Sequence, residues 1–234
     1  MPERDRPLYA VLIDADNIPA KFAAAILKEV TRLGEPALRR VYGDWSSGRL
    51  SNWSKTVRDL GLVAHQETAN TVGKNASDIG LVIDAMDILH TGRFDGFVLV
   101  SSDSDFTALA NRVREQGMDV IGIGEAKAPE ALRNVCNRFI SIENIVDEPS
   151  ADSGPAPKKR NPTEAVQRII AAMDKIEQDD DWYSLGRIGQ QIQADDPAFD
   201  TRSYGKKKLS DLVQGLKRLE TRRVGNQLQI RRLD

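Results

Sequence analysis

The sequence predicts an α/β protein in two parts: a doubly wound, mostly parallel sheet, followed by a small winged-helix unit. Three observations carry that prediction. Before residue 147, short continuous apolar runs alternate with segments of helical periodicity, the pattern of parallel strands covered on both faces. The stretch DEPSADSGPAPKKRNPTEA, from Asp147, interrupts this with Pro, Ser, Gly and Asp and carries no apolar period. Beyond it, three helical segments lead into a pair of short strands. The expected boundaries are 1–146 for the first domain, 147–160 for a flexible linker and 161–234 for the second domain.

Taken in order, LYAVLI (8–13) is a buried strand. Residues 19–33 are helical, with Phe22, Ile26, Leu27 and Val30 at helical spacing and Gly34 as the stop. LRRVYGDW (38–45) is a strand, 50–60 a helix and LVAHQ (62–66) a strand. In 76–90, Ile79, Val82, Ile83, Met86 and Leu89 trace one helical face. FVLV (97–100) is a strand, 105–116 a helix closed by Gly117, MDVIGIG (118–124) a strand, 128–136 a helix and FISIENI (139–145) the last strand. In the second part, 163–176 and 185–193 are helices, and 203–219 contains a third that Lys206, Lys207 and Lys208 begin. Trp182 and Leu185 are expected in its core. Gly225-Asn226 between two short strands suits a type II′ hairpin.

Composition narrows the function classes. Apolar residues make up 40% and charged residues 29%, the profile of a globular chain. No apolar run approaches the ~18 residues of a membrane span, and MPERDRP lacks a signal-peptide core, so a cytoplasmic protein is expected. One cysteine, Cys136, excludes an internal disulfide, and two histidines exclude a Cys/His zinc site. GIGEAKA (122–128) lacks the spacing of a dinucleotide loop. The net charge of −2 conceals an asymmetry: residues 158–234 carry 16 cationic against 12 acidic side chains, the remainder 17 against 23. An acidic half joined to a basic half suits a catalytic site joined to a polyanion grip.

Chemistry concentrates where strands end. The first strand runs into Asp14, Asp16 and Asn17, and the fourth ends in Ser101-Ser102-Asp103-Ser104-Asp105. Asp78 stands at the start of the helix 76–90. In a doubly wound sheet, ligands bind beyond the carboxyl ends of the strands. If strands one and four are neighbours, these carboxylates share a crevice and repel one another unless a cation joins them. Oxygen ligands without His or Cys select a hard ion, Mg²⁺ or Mn²⁺, which suits phosphodiester cleavage. Helix capping is the competing explanation: Asp16 or Asn17 ahead of the first helix, Ser77 ahead of the third, Ser104 or Asp105 ahead of the fourth. Asp84, six residues past Asp78, points from another face and suits a structural role.

VLIDADN at the first strand, Lys74-x-x-Ser77-Asp78 entering an apolar helix, and VSSDSDF at the fourth strand together resemble the NYN domain family of PIN-like nucleases, over residues 7–146. The resemblance implies a PIN-like α/β fold and metal-dependent cleavage of RNA. It puts Asp14, Asp78 and Asp103 at the family's acidic metal positions, Asp105 at the second carboxylate of SDSDF, and Asn17 at the polar position after the first Asp. Asp16 departs from the small or polar residue common there. DWYSLGRIGQQIQ, PAF and SYGKKKLSDLVQ resemble the OST-HTH, or LOTUS, domain over 161–234, which implies RNA binding.

The expected function is therefore a ribonuclease, with Asp14, Asp78, Asp103 and Asp105 holding Mg²⁺ or Mn²⁺ and Asn17 orienting water or substrate. RNA would meet Lys74, Tyr204, Lys206, Lys207, Lys208, Arg222 and Arg223, with cations on phosphates and the aromatic on a base. A solvated basic face with Tyr204 in the core is the alternative for the second part. Two other functions remain open on sequence: a haloacid-dehalogenase-type phosphatase using Asp14 as nucleophile and Asp16 as acid/base, and an RNA-binding regulator with little or no catalysis.

Overall fold

The computed structural model describes residues 5–46, 48–66, 76–146, 159–178 and 180–233. The chain divides into two compact units, Met1–Glu148 and Pro149–Asp234. Residues 147–158, most of the expected linker, lie outside the described residues, as does Lys74.

The first unit is a six-stranded, all-parallel sheet. Its strands are β1 (Leu8–Asp14), β2 (Glu35–Gly43), β3 (Val63–Gln66), β4 (Gly96–Val100), β5 (Asp119–Gly124) and β6 (Arg138–Ser141), in the spatial order β3-β2-β1-β4-β5-β6. The order reverses between β1 and β4, which are neighbours in register from Tyr9↔Gly96 to Ile13↔Val100. Ala10 to Ile13 have no exposed surface, and Val98 is equally enclosed. Strands this deeply covered need apolar residues on both faces, which is why the sequence reads them as continuous runs. The helices are α1 (Ala23–Leu33), α2 (Ser51–Leu60), α3 (Ala76–His90), α4 (Thr107–Glu115) and α5 (Glu130–Val135).

One expectation fails here. α3 buries Leu81, Ala85, Ile88 and Leu89, while Ile79 and Ile83 are 60% and 59% exposed. Of the expected stripe only Leu89 is buried. The reason is Asp84, whose carboxylate accepts from both the Arg40 guanidinium and the Tyr42 hydroxyl on β2. Residues 81, 84, 85 and 88 form the i, i+3, i+4, i+7 face that meets the sheet, and a charge stands in its middle. The helix is apolar nearly all round, so an alternative stripe without the charge looked the better one. The Tyr42 phenol, buried and bound to a carboxylate, is held well above its ordinary pKa.

The second unit contains α6 (Pro162–Lys175), α7 (Leu185–Asp195) and α8 (Leu209–Val213), closed by a three-stranded antiparallel sheet of β7 (Tyr183–Ser184), β8 (Leu219–Val224) and β9 (Gln227–Arg232) in the order β7-β9-β8. Asn161 caps α6 by accepting from the Thr163 N–H, with Pro162 at the first position. The hairpin pairs Val224 with Gln227. Gly225 has φ +58° and, among the described residues, no non-glycine residue has positive φ, the φ pattern of a type II′ turn. The third helix is much shorter than expected. A 3-10 turn over Thr201–Tyr204 ends at Gly205, φ +73°, and Lys206 to Lys208 precede α8 rather than opening it. A left-handed glycine terminates a helix cheaply, so the two helical pieces cannot merge.

Candidate functional site

The crevice is built at the carboxyl ends of β1 and β4, where the strand order reverses. Asp14, the last residue of β1, is 3% exposed. Its Oδ1 accepts the backbone N–H groups of Asp16 and Asn17, both at 3.2 Å, and its Oδ2 accepts the Ser101 hydroxyl at 2.8 Å. Ser101 Oγ in turn accepts the Asp103 N–H at 3.1 Å. The Asn17 side-chain oxygen accepts the Ser102 N–H at 2.9 Å. Two hydrogen bonds, Ser101 to Asp14 and Ser102 to Asn17, thus lock the β1 exit to the β4 exit. The β5 exit closes against them: Ser102 Oγ accepts the Glu125 N–H at 2.8 Å, and a Cβ on Gly124 would lie 2.6 Å from the Ser101 carbonyl oxygen. The loop after β1 is held from the other side by Trp53, whose indole N–H donates to the Ile18 carbonyl at 2.9 Å.

Capping explains less of this acidic set than the sequence allows. The residue ahead of the first helical turn is Pro19, with no side-chain cap, so neither Asp16 nor Asn17 caps it. Ser77 lies inside α3. Asp103, not Ser104 or Asp105, caps the turn before α4, by accepting the Asp105 N–H at 2.9 Å.

The electrostatics bring the acids together. Burial pushes the Asp14 carboxyl up to about 6, with Asp78 and Asp16 adding to it; the Ser101 hydroxyl and the Asn17 N–H pull the other way. The Asp78 carboxyl is also raised, by burial first and then by Asp103, Asp16 and Asp105. Among the described residues, no ion pair involves Asp14, Asp16, Asp78 or Asp103. Nor, among the described residues, do any three His, Cys, Asp or Glu side chains already stand in a metal-holding arrangement. Asp78 reaches the field of the crevice from α3, whose rotation the Asp84 anchor sets. Asp84 itself is a structural anchor, in keeping with its placement on another face.

In the second unit the expected RNA contacts divide. Tyr204 is 4% exposed and packs against Phe199, ring centroids 5.7 Å apart, so it belongs to the core and offers no face to a base. This corrects its expected role. Arg222 lies over the Trp182 ring at 4.1 Å and Arg231 at 4.9 Å; Arg222 Nε donates to Gln229 at 2.8 Å and Arg231 pairs with Glu220 at 2.5 Å. Trp182 is only half-buried, sheltered by arginines instead of a core. Arg223 is exposed, as are Lys207 and Lys208, and Lys206 is partly covered. Sequence reasoning gave no role to Ser101, although it precedes Asp103 by two residues, and none to Lys159 and Arg160, which it took as linker.

A family model described as "NYN domain" matches residues 9–143, and one described as "OST-HTH/LOTUS domain" matches 157–230. This chain belongs to the NYN domain family. Its C-terminal unit carries an OST-HTH/LOTUS domain. Among solved structures, the fold is similar to that of a Vibrio parahaemolyticus protein of unknown function, 19% identical, with a TM-score of 0.51 over 61% of this chain and 96% of that one. Acinetobacter baumannii MurG, 11% identical, reaches a TM-score of 0.39 over 90% of this chain and 70% of that one, too low to carry an argument. No curated protein matches.

The NYN domain is PIN-like, and PIN-like NYN nucleases generally use divalent metal ions; the LOTUS domain is an RNA-binding module. A ribonuclease or RNA-binding role follows for this NYN protein at that level. Among the described residues, no helix is long and apolar enough to cross a membrane.

Proposed function

We propose that this NYN protein is a Mg²⁺- or Mn²⁺-dependent endoribonuclease whose LOTUS domain captures RNA. The observation that carries this reading is the buried Asp14, fixed by Ser101 and flanked by Asp16, Asp78 and Asp103, with no ion pair to any of them among the described residues. Such a cluster is costly unless a cation joins it. The donor set is all oxygen, which fits a hard divalent ion. Asp14, Asp78, Asp103 and Asp105 would hold that ion. When bound, the ion supplies Lewis acidity toward a phosphate oxygen.

The chain's own residues do the positioning. Ser101 and the two amides at Asp16 and Asn17 fix the Asp14 carboxylate in one rotamer, so little reorganisation is needed for binding. Asn17 Oδ1 is engaged by Ser102, which leaves its Nδ2 to hold a water or a phosphate oxygen. The regulator reading has one observation in its favour, that among the described residues the carboxylates are not already gathered in a metal-holding arrangement.

Incubation with mixed-sequence RNA and DNA oligonucleotides in Mn²⁺, Mg²⁺ or chelator separates the readings. Internal cleavage of RNA that needs the metal supports the endoribonuclease. RNA binding with no metal-dependent cleavage of any substrate moves the assignment to the regulator.

A further inference from the structure

The LOTUS unit holds two kinds of basic residue, and the structure separates them. Those on the hairpin sheet are mostly answered from within: Arg222 by Trp182, Gln229 and Asp180, and Arg231 by Trp182 and Glu220. A second group is not. The Arg160 N–H donates to the Ser203 carbonyl at 2.8 Å, which pins the residues before α6 against the turn that leads into α8. Lys159 follows the same course: a Cβ on Gly205 would lie 3.2 Å from its Cδ and 3.8 Å from its Nζ. Lys206, Lys207 and Lys208 come directly after that glycine. Two segments more than forty residues apart in sequence therefore meet at one turn, and between them they carry five cations. Among the described residues, none of the five takes part in an ion pair. The acids nearest Lys206 to Lys208 along the chain are otherwise placed: Asp200 chelates Arg202, and Asp211 accepts the Ser210 hydroxyl at 3.3 Å.

We infer that Lys159, Arg160, Lys206, Lys207 and Lys208 together form the surface that grips the RNA, that they contact its sugar-phosphate backbone, and that the internally partnered hairpin arginines Arg222 and Arg231 are not part of it. The inference rests on the RNA-capture reading above and assigns it a place. Cations that form no ion pair among the described residues suit phosphates, because no such pair has to be broken before contact is made. Tyr204, the aromatic that precedes the three lysines by two residues, is enclosed and offers them no stacking face. Binding at this surface is accordingly indifferent to base sequence.

The test uses the full chain in chelator, so that no cleavage intervenes, and fluorescence anisotropy with a labelled mixed-sequence RNA oligonucleotide across a salt series. Three variants are compared: K159A/R160A, K206A/K207A/K208A and R222A/R231A, each checked for fold by circular dichroism. The two patch variants should each weaken binding by at least about fivefold and flatten the slope of log affinity against log salt by about 0.7 for each cation removed. R222A/R231A should bind within about twofold of the parent, with the parent's slope. A folded K159A/R160A variant that binds like the parent, or a folded R222A/R231A variant that loses more affinity than K159A/R160A does, overturns the assignment while leaving RNA capture intact. A parent chain that binds no RNA in chelator overturns both. A second labelled RNA with its bases scrambled should give the same affinity; a preference of tenfold or more, lost in the patch variants, would show base reading and contradict the backbone grip.

Discussion

The crevice of the NYN domain and the hairpin sheet of the LOTUS domain are both rich in charge, yet they handle it in opposite ways. In the crevice, burial and the neighbouring Asp78 and Asp16 raise the proton affinity of Asp14, burial with Asp103, Asp16 and Asp105 raises that of Asp78, and among the described residues none of Asp14, Asp16, Asp78 and Asp103 is answered by an ion pair. On the hairpin, Arg222 and Arg231 cover Trp182 and reach Asp180 and Glu220. The first arrangement stores repulsion; the second spends charge on packing. The difference teaches that a charged residue earns a functional reading when its surroundings leave it unanswered, not merely when a motif contains it.

The largest expected effect tests the unanswered side. Asp103→Asn keeps the side-chain oxygen that caps the turn before α4 and removes only the charge. Cleavage of RNA in Mn²⁺ should fall by about 100- to 1,000-fold, the scale of losing one preorganised electrostatic group, while the thermal midpoint stays within a few degrees. A variant that cuts at the parental rate would remove Asp103 from the site.

Tyr204 comes next, because its sequence position beside three lysines suggested recognition and its burial makes it core. Tyr204→Ala should cost the LOTUS unit about 3 kcal/mol, as for other large buried aromatics, measured by urea unfolding. Tyr204→Phe should preserve RNA affinity. A large loss of affinity in a stable Tyr204→Phe protein would return the residue to the binding surface.

Asp14→Asn should have the opposite sign on stability. The Asp14 carboxyl is raised from an ordinary value of 3.8 to about 6, so the native state binds its proton more tightly than the unfolded chain does. Its contribution is fully present below pH ~4 and is lost as the pH rises through about 6. Without divalent metal, Asp14→Asn should therefore be more stable than the parent at pH 7 by about 1–3 kcal/mol, and the gap should close toward pH 4. Mn²⁺ should raise the parent's melting temperature and leave the variant's nearly unchanged. Equal stability of the two metal-free proteins from pH 4 to 7 would mean that the crevice holds no repulsion at Asp14.

The sheet was legible because β1, β4 and β5 are continuous apolar runs, and an enclosed parallel strand tolerates little else. The crevice was legible because two of those strands end in carboxylates and the reversal of strand order between β1 and β4 is the usual place for a site. What escaped had a common cause. α3 turns on Asp84, a charge inside an apolar face, which periodicity counts against the correct stripe. Ser101 looks like any strand-end serine until β1 is placed beside β4. Lys159 and Arg160 read as linker because the bond to Ser203 that fixes them spans more than forty residues of sequence. Each depends on a partner distant in the chain, and spacing along the chain carries no record of such partners.

The smallest effect is also the most discriminating for the hairpin. If Arg222 is a packing residue, Arg222→Ala should destabilise the LOTUS unit by about 1 kcal/mol, the value of an exposed cation–π contact, with the Gln229 bond lost as well. Lysine at the same position retains the charge opposite Asp180 but lacks the planar group that lies over the indole and donates from Nε to Gln229. Arg222→Lys should therefore lose nearly as much stability as Arg222→Ala. Full restoration by lysine would mean that the charge alone matters there, and the hairpin would then resemble the crevice more closely than its geometry suggests. Lys207→Ala, by contrast, should change stability by no more than about 0.5 kcal/mol, since an exposed, unpaired cation holds nothing in place.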